Sequence, residues 1–98
     1  MSGINEKNEV FKIKMSCPDN KKQTVMKSLA ELTKNDKNVI KIDETDGVKL
    51  YLKDGWVLMR PSGTEPIFRV YSESNDKKRA EEIALTYKKI AEDIIKKN

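Results

Sequence analysis

The stretch VKLYLKDGWVLMRPSGTEPIFRVYSES, residues 48–74, decides how this chain folds. Three runs rich in β-branched and aromatic residues, VKLYLK, WVLMR and IFRVYSE, are punctuated by DG and PSGTEP, the pattern of successive strands joined by turns. Asp54-Gly55 leaves only two residues for the first reversal, and both types tolerate positive φ, so the spacing predicts a tight type I′ hairpin. The second connection, Pro61 to Pro66, is longer than a hairpin requires.

Reading outward, VIKI at 39–42 adds a further strand, and upstream of it Val10, Phe11, Ile13 and Met15 interleave with Lys12 and Lys14. That two-residue alternation predicts a half-buried strand from about Val10 to Ser16. CPDNKK ends it, because Pro18 cannot donate to a ladder and Asp19 or Asn20 can cap a following helix. Val25, Met26, Leu29 and Leu32 then recur at helical spacing up to about Lys34. At the C-terminal end Ala80, Ile83, Ala84, Tyr87, Ile90, Ala91, Ile94 and Ile95 form one broad apolar stripe, with Glu92–Lys96 and Asp93–Lys97 as candidate i, i+4 pairs. The order β-α-β-β-β-β-α predicts an α+β domain of two layers, with both helices on one face of a mainly antiparallel sheet. Residues 1–9, polar and aperiodic, read as a flexible N-terminal linker or an added remnant, and residues 10–98 as the domain.

Composition narrows the function classes. At 98 residues and 37% hydrophobic content the chain suits a single small core, not the multidomain cleft many enzymes need. Twenty basic and 16 acidic residues give +4, but the signs are interspersed with no block of like charge, which disfavours a dedicated nucleic-acid binder. Cys17 is the single cysteine and there is no histidine, so an internal disulfide, the usual triad base and the commonest zinc ligand are all excluded. A cytoplasmic setting is expected. The N-terminus MSGINEKNEVFKIKM has no apolar run of membrane-spanning length, so no membrane partner is expected.

The chemistry concentrates in residues 60–69. Lysines number seventeen and arginines three, yet two of the three, Arg60 and Arg69, bracket the second connection. Ser62 and Thr64 supply hydroxyl donors on either side of Gly63, whose missing Cβ permits positive φ and close approach of a ligand. Successive amides in such a turn form a nest for an anion, and Pro61 and Pro66 stiffen its ends. Two planar guanidinium groups converging there suit a phosphate. The bland alternative is an ordinary turn with the arginines paired to Glu65 and Glu73. No Walker pattern is present, so nucleotide hydrolysis is not implied.

The string Arg60-Pro61-Ser62-Gly63-Thr64-Glu65-Pro66, followed by Arg69, closely resembles the phosphate-binding loop of the α-D-phosphohexomutase family, the phosphoglucomutases, phosphomannomutases and phosphoglucosamine mutases. From about Val10 onward the chain is similar to that family's fourth, C-terminal domain, which implies a TBP-like topology. The resemblance implies a reaction that moves a phosphoryl group between positions 1 and 6 of a hexose. It also implies that Arg60, Ser62, Gly63, Thr64 and Arg69 clamp the phosphate that is not reacting. The family's other three domains carry a phosphoserine loop, an Asp-rich Mg²⁺ loop and a sugar-reading loop. None of those motifs occurs here, so no catalytic residue, metal ligand or cofactor is expected in this chain, with Mg²⁺ belonging to the other domains. The partners implied are a hexose phosphate and the rest of the mutase. Two rival classes are a small basic RNA-binding module, against which the missing RNP1 and Gly-x-x-Gly patterns speak, and a non-catalytic regulatory fragment. Three further features have ordinary readings: Trp56 as a partly buried ring, Cys17 as a small buried apolar residue, and Lys77, Lys78 and Arg79 as a solvated face instead of an added field near the phosphate.

Overall fold

A computed structural model of the chain describes residues 9–97. Strand β1 (Glu9–Ser16) leads through a short 3₁₀ turn (Asp19–Lys21) into α1 (Lys22–Thr33). Strands β2 (Val39–Asp43), β3 (Val48–Leu52), β4 (Gly55–Pro61) and β5 (Ile67–Ser74) follow, and α2 (Lys77–Lys97) closes the chain. Since β1 takes in Glu9, the linker expected at 1–9 falls, apart from that residue, outside the described residues. The strands form one sheet in the order β1-β5-β4-β3-β2, antiparallel throughout. The α+β class and element order follow the alternation in the sequence.

Period-two patterning sorts the sheet into two faces. Met15, Val48, Leu50, Leu52, Val57, Met59, Phe68 and Val70 point inward and are buried. α2 packs over β1 and β5 while α1 lies against α2 and β3, so both helices cover that face. From the helices come Val25, Leu29, Ile83, Ala84, Tyr87, Ala91 and Ile94. Cys17 is buried, and burial raises its thiol pKa, as suits a packing residue. Buried Ser72 and Ser74 donate to the carbonyls of Ala80 and Asp54 at 2.6 and 2.7 Å, which leaves small, satisfied side chains where α2 begins.

Several local expectations are corrected. The β3–β4 hairpin forms, but Leu52 pairs with Gly55 and the two turning residues are Lys53 and Asp54. Neither has positive φ, so the turn is not type I′. Gly55 is needed for a different reason: a Cβ there would collide with the carbonyl of Glu73 on β5. Neither Asp19 nor Asn20 caps α1, whose N-cap position is Lys21, with no side-chain capping bond to the helix. Glu92 turns back to Lys88 at 2.7 Å, and neither Glu92–Lys96 nor Asp93–Lys97 is among the ion pairs of the described residues. Leu32 is 60% exposed, its place on the apolar side of α1 taken by Thr33, whose hydroxyl bonds back to Leu29. The edge strand β2 carries a bulge between Val39 and Lys41. No helix among the described residues is long and apolar enough to cross a membrane.

Candidate functional site

The β4–β5 connection is five residues, Ser62 to Pro66, because Pro61 still pairs with Phe68. Directly before that pair comes Arg60 opposite Arg69. Partners in one antiparallel register share a face, with Cβ atoms about 5 Å apart, so both guanidinium groups rise from the face without helices. Lys14 of β1 is in turn the register partner of Arg69, so three cations stand side by side in one row. A shallow depression of about 310 Å³ opens there, lined by Lys12, Ile13, Lys14, Arg69 and Tyr71.

The loop's internal bonds define what it offers to a ligand. Ser62 N–H donates to the Ile67 carbonyl at 3.0 Å and Ile67 N–H to the Glu65 carbonyl at 2.8 Å. Cys17 N–H ties the Pro66 carbonyl to the end of β1 at 2.9 Å. The Ser62 hydroxyl accepts the amides of Thr64 and Glu65 at 3.3 and 3.1 Å and lies 3.5 Å from the Thr64 hydroxyl. Having accepted twice, Ser62 Oγ keeps its own proton to donate.

Two parts of the expected nest therefore differ. Gly63 does not adopt positive φ, and the amides of Thr64 and Glu65 are consumed by Ser62 instead of facing outward. The Gly63 N–H meets no acceptor among the described residues, and a Cβ built on Gly63 would find nothing within 4 Å. The side-chain-free centre of the turn is open to approach.

The alternative pairings are weak or absent. Arg69 reaches the Glu65 carboxylate at 3.5 Å with both groups near half exposure, a contact worth little in water. Glu73 accepts from Trp56 Nε1 at 2.9 Å instead. No carboxylate among the described residues is ion-paired with Arg60. Gly47, at φ 131°, holds the start of β3 flush against the Met59–Arg60 backbone. Arg79 bonds Asp54 at 2.6 Å beside the β3–β4 turn, at the end of β4 away from the loop, so it adds no local field to Arg60 and Arg69. That contact holds the Asp54 carboxyl below its usual pKa.

Residue-type reasoning missed Lys22 altogether. It opens α1 three residues before Val25 and seven before Leu29, so helical spacing sets it on the apolar face, and it is 8% exposed. Its ammonium donates to the carbonyls of Ser62 at 2.5 Å and Glu65 at 2.7 Å and pairs with Asp19 at 2.7 Å. All three donors are used, and nothing local to residue 22 signals partners forty positions away. Lys12 and Lys14 were also missed, although strand alternation places them on the face of Arg69.

Among the described residues no group of three or more carboxylates or thiols is placed to hold a metal ion. The site brings together guanidinium groups, an ammonium, two hydroxyls and one open amide.

Residues 13–90 match the family described as phosphoglucomutase/phosphomannomutase, C-terminal domain. A phosphoglucomutase/phosphomannomutase of Thermococcus kodakarensis is 43% identical over 86 residues, 88% of this chain and 18% of the relative. A probable phosphoglucosamine mutase of Pyrococcus abyssi is 37% identical over 86% of this chain and 19% of its own length. The phosphoglucosamine mutase of Methanocaldococcus jannaschii is 44% identical over 71% of this chain and 15% of its own length. The chain thus spans less than a fifth of the length of these curated relatives. With the family match covering most of the sequence, the chain belongs to the phosphoglucomutase/phosphomannomutase C-terminal domain family.

Proposed function

We infer that this domain holds the non-reacting phosphate of a hexose phosphate within a phosphohexomutase, closing the cleft while the other domains carry out 1-/6-phosphoryl transfer. The observation that carries this reading is the register pair Arg60–Arg69 with an open Gly63 at the turn between them. In this role the arginines bind phosphate oxygens by charge and paired N–H donors. Ser62 and Thr64 contribute hydroxyls, and Gly63 contributes its amide. Binding energy gained on the unreactive phosphate orients the sugar at a distant phosphoserine, which is where remote contacts act on rate. Closure over the ligand keeps water away from the transfer.

Mg²⁺ acts in phosphoryl transfer by neutralising developing charge, but the described residues of this chain do not fit it, so no step here runs through the metal. The chain by itself should be inactive, its partners being the remaining domains and the phosphosugar in a cytoplasmic enzyme.

A single clamp supports only weak affinity, with a dissociation constant near millimolar, about −4 kcal/mol. Titration with glucose 1-phosphate followed by amide chemical shifts should perturb residues 60–69, and Arg60→Ala should abolish the response. A flat titration at high ligand concentration, or shifts scattered over the lysines, would remove the assignment.

One observation favours an RNA-binding reading: the open sheet face combines lysines with Tyr51, Trp56 and Tyr71. Lys49, however, sits 4.5 Å from the Trp56 ring centre and 4.9 Å from that of Tyr51, occupying the surfaces on which bases would stack. RNA binding that collapses as salt rises would reverse this preference.

A further inference from the structure

We propose that Lys22 is a positioning residue that aims the Gly63 amide outward at the anion. The proposal rests on the phosphate reading above and adds to it a residue outside the loop.

Ser62 C=O and Gly63 N–H belong to one peptide unit. Such units are planar, and no cis bond occurs among the described residues, so the carbonyl and the amide point in opposite directions. Lys22 Nζ holds the Ser62 carbonyl at 2.5 Å from the helix side. The Gly63 N–H must then face away from α1. A second bond from Lys22 to the Glu65 carbonyl fixes the other end of the turn. The Glu65–Pro66 peptide has no N–H, so this bond steers the backbone without aiming another donor. An ammonium on the carbonyl also polarises the peptide and strengthens its N–H as a donor. Being buried and using all three protons, Lys22 stands beneath the loop and does not touch the ligand itself.

A simpler alternative is that Lys22 acts only through its positive charge. Asp19 allows the two to be separated, because Lys22 and Asp19 form a pair of net charge zero. Lys22→Met removes charge and aim together, whereas the double variant Asp19→Asn/Lys22→Met restores the local charge sum without restoring the aim. The probe is inorganic phosphate, read by ¹⁵N–¹H shifts of the 98-residue chain, with a urea midpoint recorded for each variant.

The unmodified chain should shift Gly63 N–H downfield on phosphate addition. Both Lys22→Met and the double variant should weaken phosphate about tenfold, the contribution of one hydrogen bond to a charged acceptor, and lose the Gly63 shift selectively. Asp19→Asn alone should keep it. Ile83→Val, in α2 far from the loop, should lower the urea midpoint and leave phosphate affinity unchanged. If the double variant binds like the unmodified chain, charge alone acts and the proposal fails while the phosphate reading stands. If the unmodified chain shows no response to phosphate, both fail. Should Lys22→Met not fold, residual dipolar couplings of the unmodified chain decide: the Gly63 N–H vector should keep one direction with and without phosphate, and reorientation on binding would overturn the proposal.

Discussion

A Cβ placed on Gly63 would meet no atom within 4 Å, whereas one on Gly47 would run into the Met59 carbonyl from a backbone already at φ 131°. The two glycines should therefore respond in opposite ways. Gly63→Val should leave the urea midpoint nearly unchanged while pushing a side chain into the anion's space and weakening glucose 1-phosphate. Gly47→Ala should destabilise the domain by about 1 to 3 kcal/mol, the usual cost of backbone strain, and disturb Arg60 through the strand it abuts. That Arg60 and Arg69 flank one short connection was legible from the strand patterns on either side of it. Lys22 was not, since its contacts depend on where α1 docks, which no local pattern encodes. Nor was the Ser62 hydroxyl's capture of the Thr64 and Glu65 amides, since a short polar side chain competes with a ligand for the same donors.

At the level of elements, strands were easier to read than turns and caps. Alternation along β1, β4 and β5 sets which side chains are buried, so their existence and facing follow directly from sequence. The Asp54-Gly55 pair misled because glycine has two uses, positive φ and close approach, and only coordinates reveal that Glu73 crowds it. The cap of α2 was likewise overlooked: Asp76 accepts from Lys78 N–H at 3.1 Å. That helix also carries a titration signal. Tyr87 is buried and donates to Asp36 at 3.3 Å, and burial first, then the Asp36 charge, pushes its pKa up to about 12. The folded state keeps a phenol proton that the unfolded chain releases above its ordinary value of 10.0, so stability is lost as pH rises from about 10 toward about 12. Lysines titrate in the same range, so the comparison is with Tyr87→Phe. The stability gap between the two proteins should shift against the tyrosine form across that window, as read by urea unfolding at a series of pH values. An unchanged gap would mean that the phenol is not held protonated by the fold.

On the scale of the whole molecule, two helices on one side of a five-stranded sheet leave the other side to Lys14, Arg69 and Arg60 in adjacent register positions. Like charges set opposite each other on neighbouring strands oppose pairing by about 0.2 to 1 kcal/mol. The domain therefore lives with a self-repulsion that a phosphate held in the proposed way would cancel. Arg60→Gln should raise the melting temperature of the empty domain slightly while abolishing the stabilisation that sugar phosphate gives the unmodified chain, both measurable in one thermal-shift series. A sequence tuned for ruggedness alone would dismantle this trio first, so in the proposed role thermal endurance is given up for a grip.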